Sequence, residues 1–244
     1  MGRPPDDGSE VTGEDDPVPD TSQPTTNQLI QAGRDREAAR HGADQATEPS
    51  PDHRTDGGPM DPLTQLTQLA PALGGVLASL TPDDLERHTA CADFTVRGVL
   101  EHMVGGATAF AAAYRGTEPA DPDLTDPLAA LPGTLEDLFE AISAPGALDG
   151  MVQAPFGEVP RETFARFVVL DGLVHGWDMA TAAGLPYDPP AELVAAVDAF
   201  AHEALDPLRD GQTFADAVEP SPDATPIDRL AAYTGRRALT GATP

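Results

Sequence analysis

The chain has 244 residues, of which 41 are acidic and 14 basic, giving a formal net charge of −27 and an isoelectric point near 4.2. Such a surplus repels nucleic-acid phosphate and anionic lipid, so neither nucleic acid nor membrane is an expected partner. The single cysteine, Cys91, excludes intrachain disulfides and a cysteine-rich zinc site, and the cytoplasm is the expected compartment.

Residues 1–59 are rich in Pro, Gly, Asp, Glu, Ser and Thr and contain no aromatic side chain. Val11, Val18, Leu29 and Ile30 are too few to offset the entropy of ordering this stretch, so a disordered acidic tail is expected. A brief helix at Gln28–Arg40 is the one element it could form. No basic segment followed by an apolar run marks a signal peptide, and no run of 18 apolar residues predicts a membrane-spanning helix. Met60 stands immediately before the first periodic segment. It is read here as the natural start, with a genuine acidic tail as an equal alternative.

The helical pattern begins at Pro62. Leu63, Leu66, Leu69, Leu73, Val76, Leu77 and Leu80 recur at helical spacing, predicting an amphipathic helix over 62–80. Thr81-Pro82 closes it, because proline disfavours helical geometry in the residue before it. A connection over 81–93 follows, with a short turn at Asp83–Arg87. Thr95 is the expected N-cap of a second helix, Val96–Tyr114. Residues 116–132 read as a Pro/Asp-rich loop, and Leu135, Leu138, Phe139 and Ile142 predict a third helix over 133–144. Two extended pieces, at 151–153 and 156–159, suggest a small hairpin. The fourth long helix, 161–183, is apolar over much of its circumference and should be the most buried; Gly184 ends it. Shorter helices are expected at 190–205 and 226–235. The resulting class is all-α, a four-helix up-and-down bundle over 60–240 with extra short C-terminal helices and one small hairpin.

The chemistry is concentrated in two helices. Asp171 and His175 stand four residues apart, about 40° around a helix and about 6 Å along it, so they can converge on one ion. A carboxylate and an imidazole suit a borderline divalent metal: zinc first, with nickel, iron or manganese as alternatives. His102 lies between the core positions Val99 and Met103 and is the candidate third ligand. Three protein ligands with open positions are the pattern of a catalytic metal site. On spacing alone, a helical Asp–His hydrogen bond is the commoner explanation of such a pair. His41, His53, His88 and His202 have no comparable setting. Asp178, one turn beyond His175, either orients a ligand imidazole or serves the helix surface. Trp177 reads as core, Glu101 as solvated and Cys91 as a small half-buried residue. Arg236 and Arg237 are expected near helix-end carbonyls, with an anionic substrate as the other use.

Two segments carry a resemblance. Cys91-Ala-Asp-Phe-Thr-Val-Arg-Gly-Val-Leu-Glu-His102-Met-Val-Gly-Gly resembles the C-x-x-W-T-V-R-D-L-L-x-H-L-V-G-G segment of the DinB-like, mycothiol-dependent maleylpyruvate isomerase N-terminal family. Val169-Leu-Asp171-Gly-Leu-Val-His175-Gly-Trp-Asp-Met-Ala is similar to its D-x-x-V-H-x-W-D-L-A segment. The spacing to Gly184, Phe214 and Asp228-Arg229-Leu230…Gly235-Arg236 also looks similar, so the likeness covers roughly 60–240. It implies a four-helix bundle whose metal is held by His102, Asp171 and His175. It implies further that the metal activates the low-molecular-weight thiol mycothiol for attack on an electrophilic substrate, in a monomer or a homodimer. Phe94 departs from the pattern, which has tryptophan there. About 60 residues follow the metal helix, too few for the additional C-terminal domain of the isomerases. The expectation is therefore a thiol S-transferase, or a metal-binding or sensor module without turnover, in place of maleylpyruvate isomerisation.

Overall fold

The computed structural model describes residues 60–91, 94–209 and 214–237. The expectations for residues 1–59, including the brief helix at Gln28–Arg40 and the setting of His41 and His53, lie outside them. The described chain is mostly helical: α1 (Pro62–Ser79), α2 (Val96–Arg115), α3 (Pro127–Ser143), α4 (Arg161–Ala183), α5 (Ala191–Ala204) and α6 (Pro226–Tyr233). A two-stranded antiparallel sheet, β1 (Met151–Ala154) and β2 (Gly157–Pro160), sits between α3 and α4, with Val152 paired to Val159. No helix among the described residues is long and apolar enough to cross a membrane.

Local chemistry sets most boundaries. Asp61 caps α1, its carboxylate accepting from the backbone N–H groups of Leu63 and Thr64. Thr95 caps α2 as expected, accepting from Gly98 N–H. Gly184 ends α4 at φ 69°, a left-handed conformation that glycine adopts without steric cost. The predicted turn at Asp83–Arg87 is a short 3₁₀ helix at Pro82–Asp84.

The start of α3 differs from the sequence expectation. Residues 127–132 are helical, although their prolines read as a loop. Asp126 caps the helix by accepting from Ala129 N–H, and Pro127 occupies the first turn, where its missing N–H costs nothing. Pro132 is tolerated inside because Leu131, fully buried, and Leu138 anchor the helix to the core.

Helix α1 packs chiefly on α4 and α2 on α3, while α5 and α6 pack against each other and against α4. The main core joins Leu69, Leu73, Leu100, Val169, Leu173 and Leu193. A second cluster, around Tyr114, Ile142, Val152 and Phe164, seats the hairpin. As expected, α4 is the most enclosed helix, buried almost without interruption from Phe164 to Ala180.

That enclosure depends on glycines. A Cβ on Gly176 would meet Tyr187 Oη at 2.5 Å and Cζ at 2.8 Å. Tyr187 donates its hydroxyl to Leu173 O at 3.0 Å, so it has little freedom to retreat. Gly176→Ala is therefore expected to destabilise the protein by about 1–3 kcal/mol through overpacking, measured by chemical denaturation. An unchanged midpoint would show that the segment carrying Tyr187 moves freely.

Candidate metal centre

Helix α4 supplies two members of the cluster and α2 the third. One turn separates Asp171 from His175, and the helix brings the Nε2 of His175 to 3.3 Å from Asp171 Oδ1. His102 comes from α2, where buried Val99 and Met103 fix the helix face, and its Nε2 is also 3.3 Å from Asp171 Oδ1. The two imidazoles meet edge to face, ring centres 4.8 Å apart. Donor atoms of all three residues lie within 4.8 Å of one another.

This geometry could hold a metal ion. Ligands about 2.0–2.1 Å from a tetrahedral zinc ion stand about 3.3–3.4 Å apart, and two of the three separations already have that value. The cluster opens outward through its carboxylate: the side chain of Asp171 is 38% exposed and that of His102 21%, against 6% for His175.

Behind His175 lies a second layer. Its Nδ1 is 3.0 Å from Asp178 Oδ2, and Asp178 is fully buried. With Nδ1–H donating to this carboxylate, Nε2 is the nitrogen facing Asp171 and His102, the orientation a ligand imidazole needs. Asp178 thus has the orienting position, not the helix surface. Arg236 donates to the same oxygen from Nη2 at 3.2 Å and from Nε at 3.4 Å. Its Nη2 also approaches Cys91 Sγ at 3.7 Å. The carbonyl contact expected for Arg236 is a minor one, to Thr234 O at 3.4 Å, and its guanidinium is committed to Asp178.

Electrostatics follow from this sandwich. Burial pushes His175 down, but the carboxylates of Asp171 and Asp178 outweigh it and raise the imidazole to about 9. Burial pushes both carboxyls up. His175 and His102 overcome this at Asp171, and Arg236 and His175 at Asp178, so both are held below the usual carboxylate range.

Cys91, His175 and Asp178 form a second group close enough to hold an ion. The guanidinium of Arg236 already occupies its edge, and a cation there would face that positive charge. The remaining expectations resolve simply. Trp177 is core, with its indole N–H donating to Asp228 Oδ1 at 2.8 Å. Glu101 is half-exposed near Arg97, and His202 stacks on Tyr233. Cys91 is buried, more deeply than expected. Between α1 and α3 opens an apolar cleft of about 710 Å³, floored by Val168 and Gly172 of α4. None of the three cluster residues lines it.

Fold and site together define a mostly helical protein with a His–carboxylate–His cluster that could hold a metal ion. The chain is 33% identical over 181 residues to the uncharacterized protein MT0763 of Mycobacterium tuberculosis (strain CDC 1551 / Oshkosh). It has the same identity, over the same length, to the uncharacterized protein Rv0738 of Mycobacterium tuberculosis (strain ATCC 25618 / H37Rv). Each match covers 72% of this chain and 98% of the relative, and the chain belongs to the family of these mycobacterial proteins. No protein-family model matches the chain, and no solved structure matches it significantly.

Proposed function

We propose that this protein is a DinB-like four-helix up-and-down bundle that binds a divalent metal ion, zinc in the first place, through His102, Asp171 and His175. We infer that it works in the cytoplasm as a transferase, with a low-molecular-weight thiol such as mycothiol as co-substrate and a small electrophile as acceptor. The observation that carries this reading is the convergence of both Nε2 atoms on one oxygen of Asp171 at a partly open position. Kinship with mycobacterial proteins supports an actinobacterial thiol.

A bound divalent ion would supply the positive charge that keeps a thiol deprotonated at neutral pH. The protein's own groups then have distinct tasks. His175 and His102 would each offer an Nε2 lone pair, with His175 held in orientation by Asp178 and His102 by the packing of its helix. Asp171 offsets part of the cation's charge and faces the approaching thiol from the exposed side. In an addition to an electron-poor carbon–carbon double bond, the thiol loses its proton to solvent, the sulfur electron pair forms the S–C bond as the π bond breaks, and the carbon that receives the π pair takes up a proton.

Protein purified without chelator is expected to carry about one metal ion per chain, measured by elemental analysis. It should also accelerate conjugation of mycothiol to an electrophile in a manner abolished by chelation. Metal-free protein that takes up no zinc would overturn the reading. A loaded protein inert with every thiol would leave a metal-binding or sensor module of the same fold.

A further inference from the structure

We propose that Arg236 is a positioning residue for this metal centre, and that docking of the C-terminal helix and metal binding are therefore coupled. The inference rests on the metal reading above and extends it to a segment far from the ligands in sequence.

The chain is built to deliver Arg236 inward. Helix α6 starts with a reciprocal cap, Thr225 and Asp228 each accepting from the other's backbone N–H. It ends in a paired turn: Gly235 N–H donates to Ala232 O and Arg236 N–H to Ala231 O, both at 3.0 Å. Gly235 has φ 93°, and a Cβ there would meet the Ala215 side chain at 2.7 Å, so glycine is required at this bend. The bend turns Arg236 back against α4.

Two consecutive residues of α4 then clamp the two ends of α6. Trp177 donates its indole N–H to Asp228 near the helix start, and Asp178 accepts from Arg236 just past its end. Asp178 holds both His175 and Arg236 on the single oxygen Oδ2. Its other oxygen is buried with no hydrogen-bond partner among the described residues. The carboxylate therefore has one polar anchor besides the imidazole it orients. Without Arg236 an ionised, fully buried carboxylate would have only His175 to compensate it, and its placement would no longer be fixed from outside α4. The chain of constraint runs from α6 through Arg236 and Asp178 to the Nε2 of His175. Coupling of this kind is reciprocal, so metal at His175 should in turn hold α6 in place.

The test uses the full chain and zinc alone. Zinc affinity is measured by competition with a chromophoric chelator for wild type, Arg236→Met and Arg236→Lys, with circular dichroism as a check on folding. Hydrogen exchange of the α6 amides is measured in wild type with and without zinc. Arg236→Met is expected to bind zinc about 10- to 100-fold more weakly, the range typical for groups that orient a metal ligand. Arg236→Lys, which keeps the charge but loses the fork, should recover part of that loss. Zinc should slow exchange across Pro226–Tyr233 in wild type, a readout that stands even where Arg236→Met fails to fold. Equal or tighter binding by a folded Arg236→Met would overturn the inference, as would α6 exchange indifferent to zinc. Failure of wild type to bind zinc would overturn the metal reading, and this inference with it.

Discussion

Alanine at His175 is expected to abolish metal binding, with zinc affinity falling by at least about 100-fold, more than loss of an orienting group costs. Two losses combine in that variant: a ligand disappears, and the buried carboxylate of Asp178 and the partly exposed one of Asp171 lose the group between them. The second loss is a stability effect. Removing one partner of a buried charged cluster costs about 3–5 kcal/mol, so His175→Ala should also unfold at markedly lower denaturant concentration even without metal. His102→Ala separates the two contributions. Its side chain is partly exposed and meets the cluster at Asp171 and His175, so stability should change less than in His175→Ala while zinc affinity still collapses. Asp178→Asn should lose the least zinc affinity of the three, because it leaves all three ligands present and weakens only the orientation of His175. Titration with zinc, followed by competition and by denaturation with and without metal, reads all three variants. A His102→Ala protein that binds zinc as tightly as wild type would remove His102 from the ligand set.

The site was legible in sequence as far as local geometry reaches. Asp171 and His175 share a helix face by arithmetic, and the strongly apolar 161–183 segment made that helix unmistakable. His102 was legible because its flanking residues, Val99 and Met103, reveal which way its helix faces. Asp178 was visible as a one-turn neighbour, though spacing could not choose between the helix surface and the imidazole. Arg236 was not legible as its partner, since 58 residues separate it from Asp178 and no periodicity links them. The same holds for Asp228 and Trp177, 51 residues apart. One signal was present but unread: in a chain with 41 acids and only 14 arginines, Gly235-Arg236 follows a capped helix, and the turn such a glycine makes delivers the next side chain to the core. The early start of α3 was missed for the opposite reason. Residues 116–132 read as a Pro/Asp-rich loop by composition, while Asp126-Pro127 is itself a helix start and buried Leu131 decides in its favour.

The melting temperature of the metal-free protein should fall with pH, and zinc should remove that fall. In the metal-free chain His175 sits between two carboxylates, and its titration moves from an ordinary 6.5 up to about 9. A group raised in this way contributes stability that is fully present below 6.5 and is lost as pH rises through about 9. The contribution is on the order of 3 kcal/mol for a shift of this size in a buried group, or roughly 6–12 °C in melting temperature for a chain of this length. Asp171 and Asp178 are depressed, so their contribution is present above the ordinary 3.8 and is lost only under acid. They do not change between pH 6.5 and 9. The metal-free melting temperature should therefore fall across this window. Zinc, in contrast, needs the Nε2 lone pair that the proton occupies, so binding releases a proton and affinity should rise with pH, up to about tenfold per unit, until about 9. Differential scanning calorimetry from pH 6 to 9 should show a falling metal-free melting temperature and, at saturating zinc, one that stays nearly level, because the zinc affinity gained with the lost proton offsets the lost stability. Zinc-insensitive melting at every pH, alongside the metal-free decline, would identify the cluster as a structural ion triad and not a metal centre. A metal-free melting temperature that stays flat would mean that His175 is neutral between its two acids, and the charge sandwich described above would be wrong.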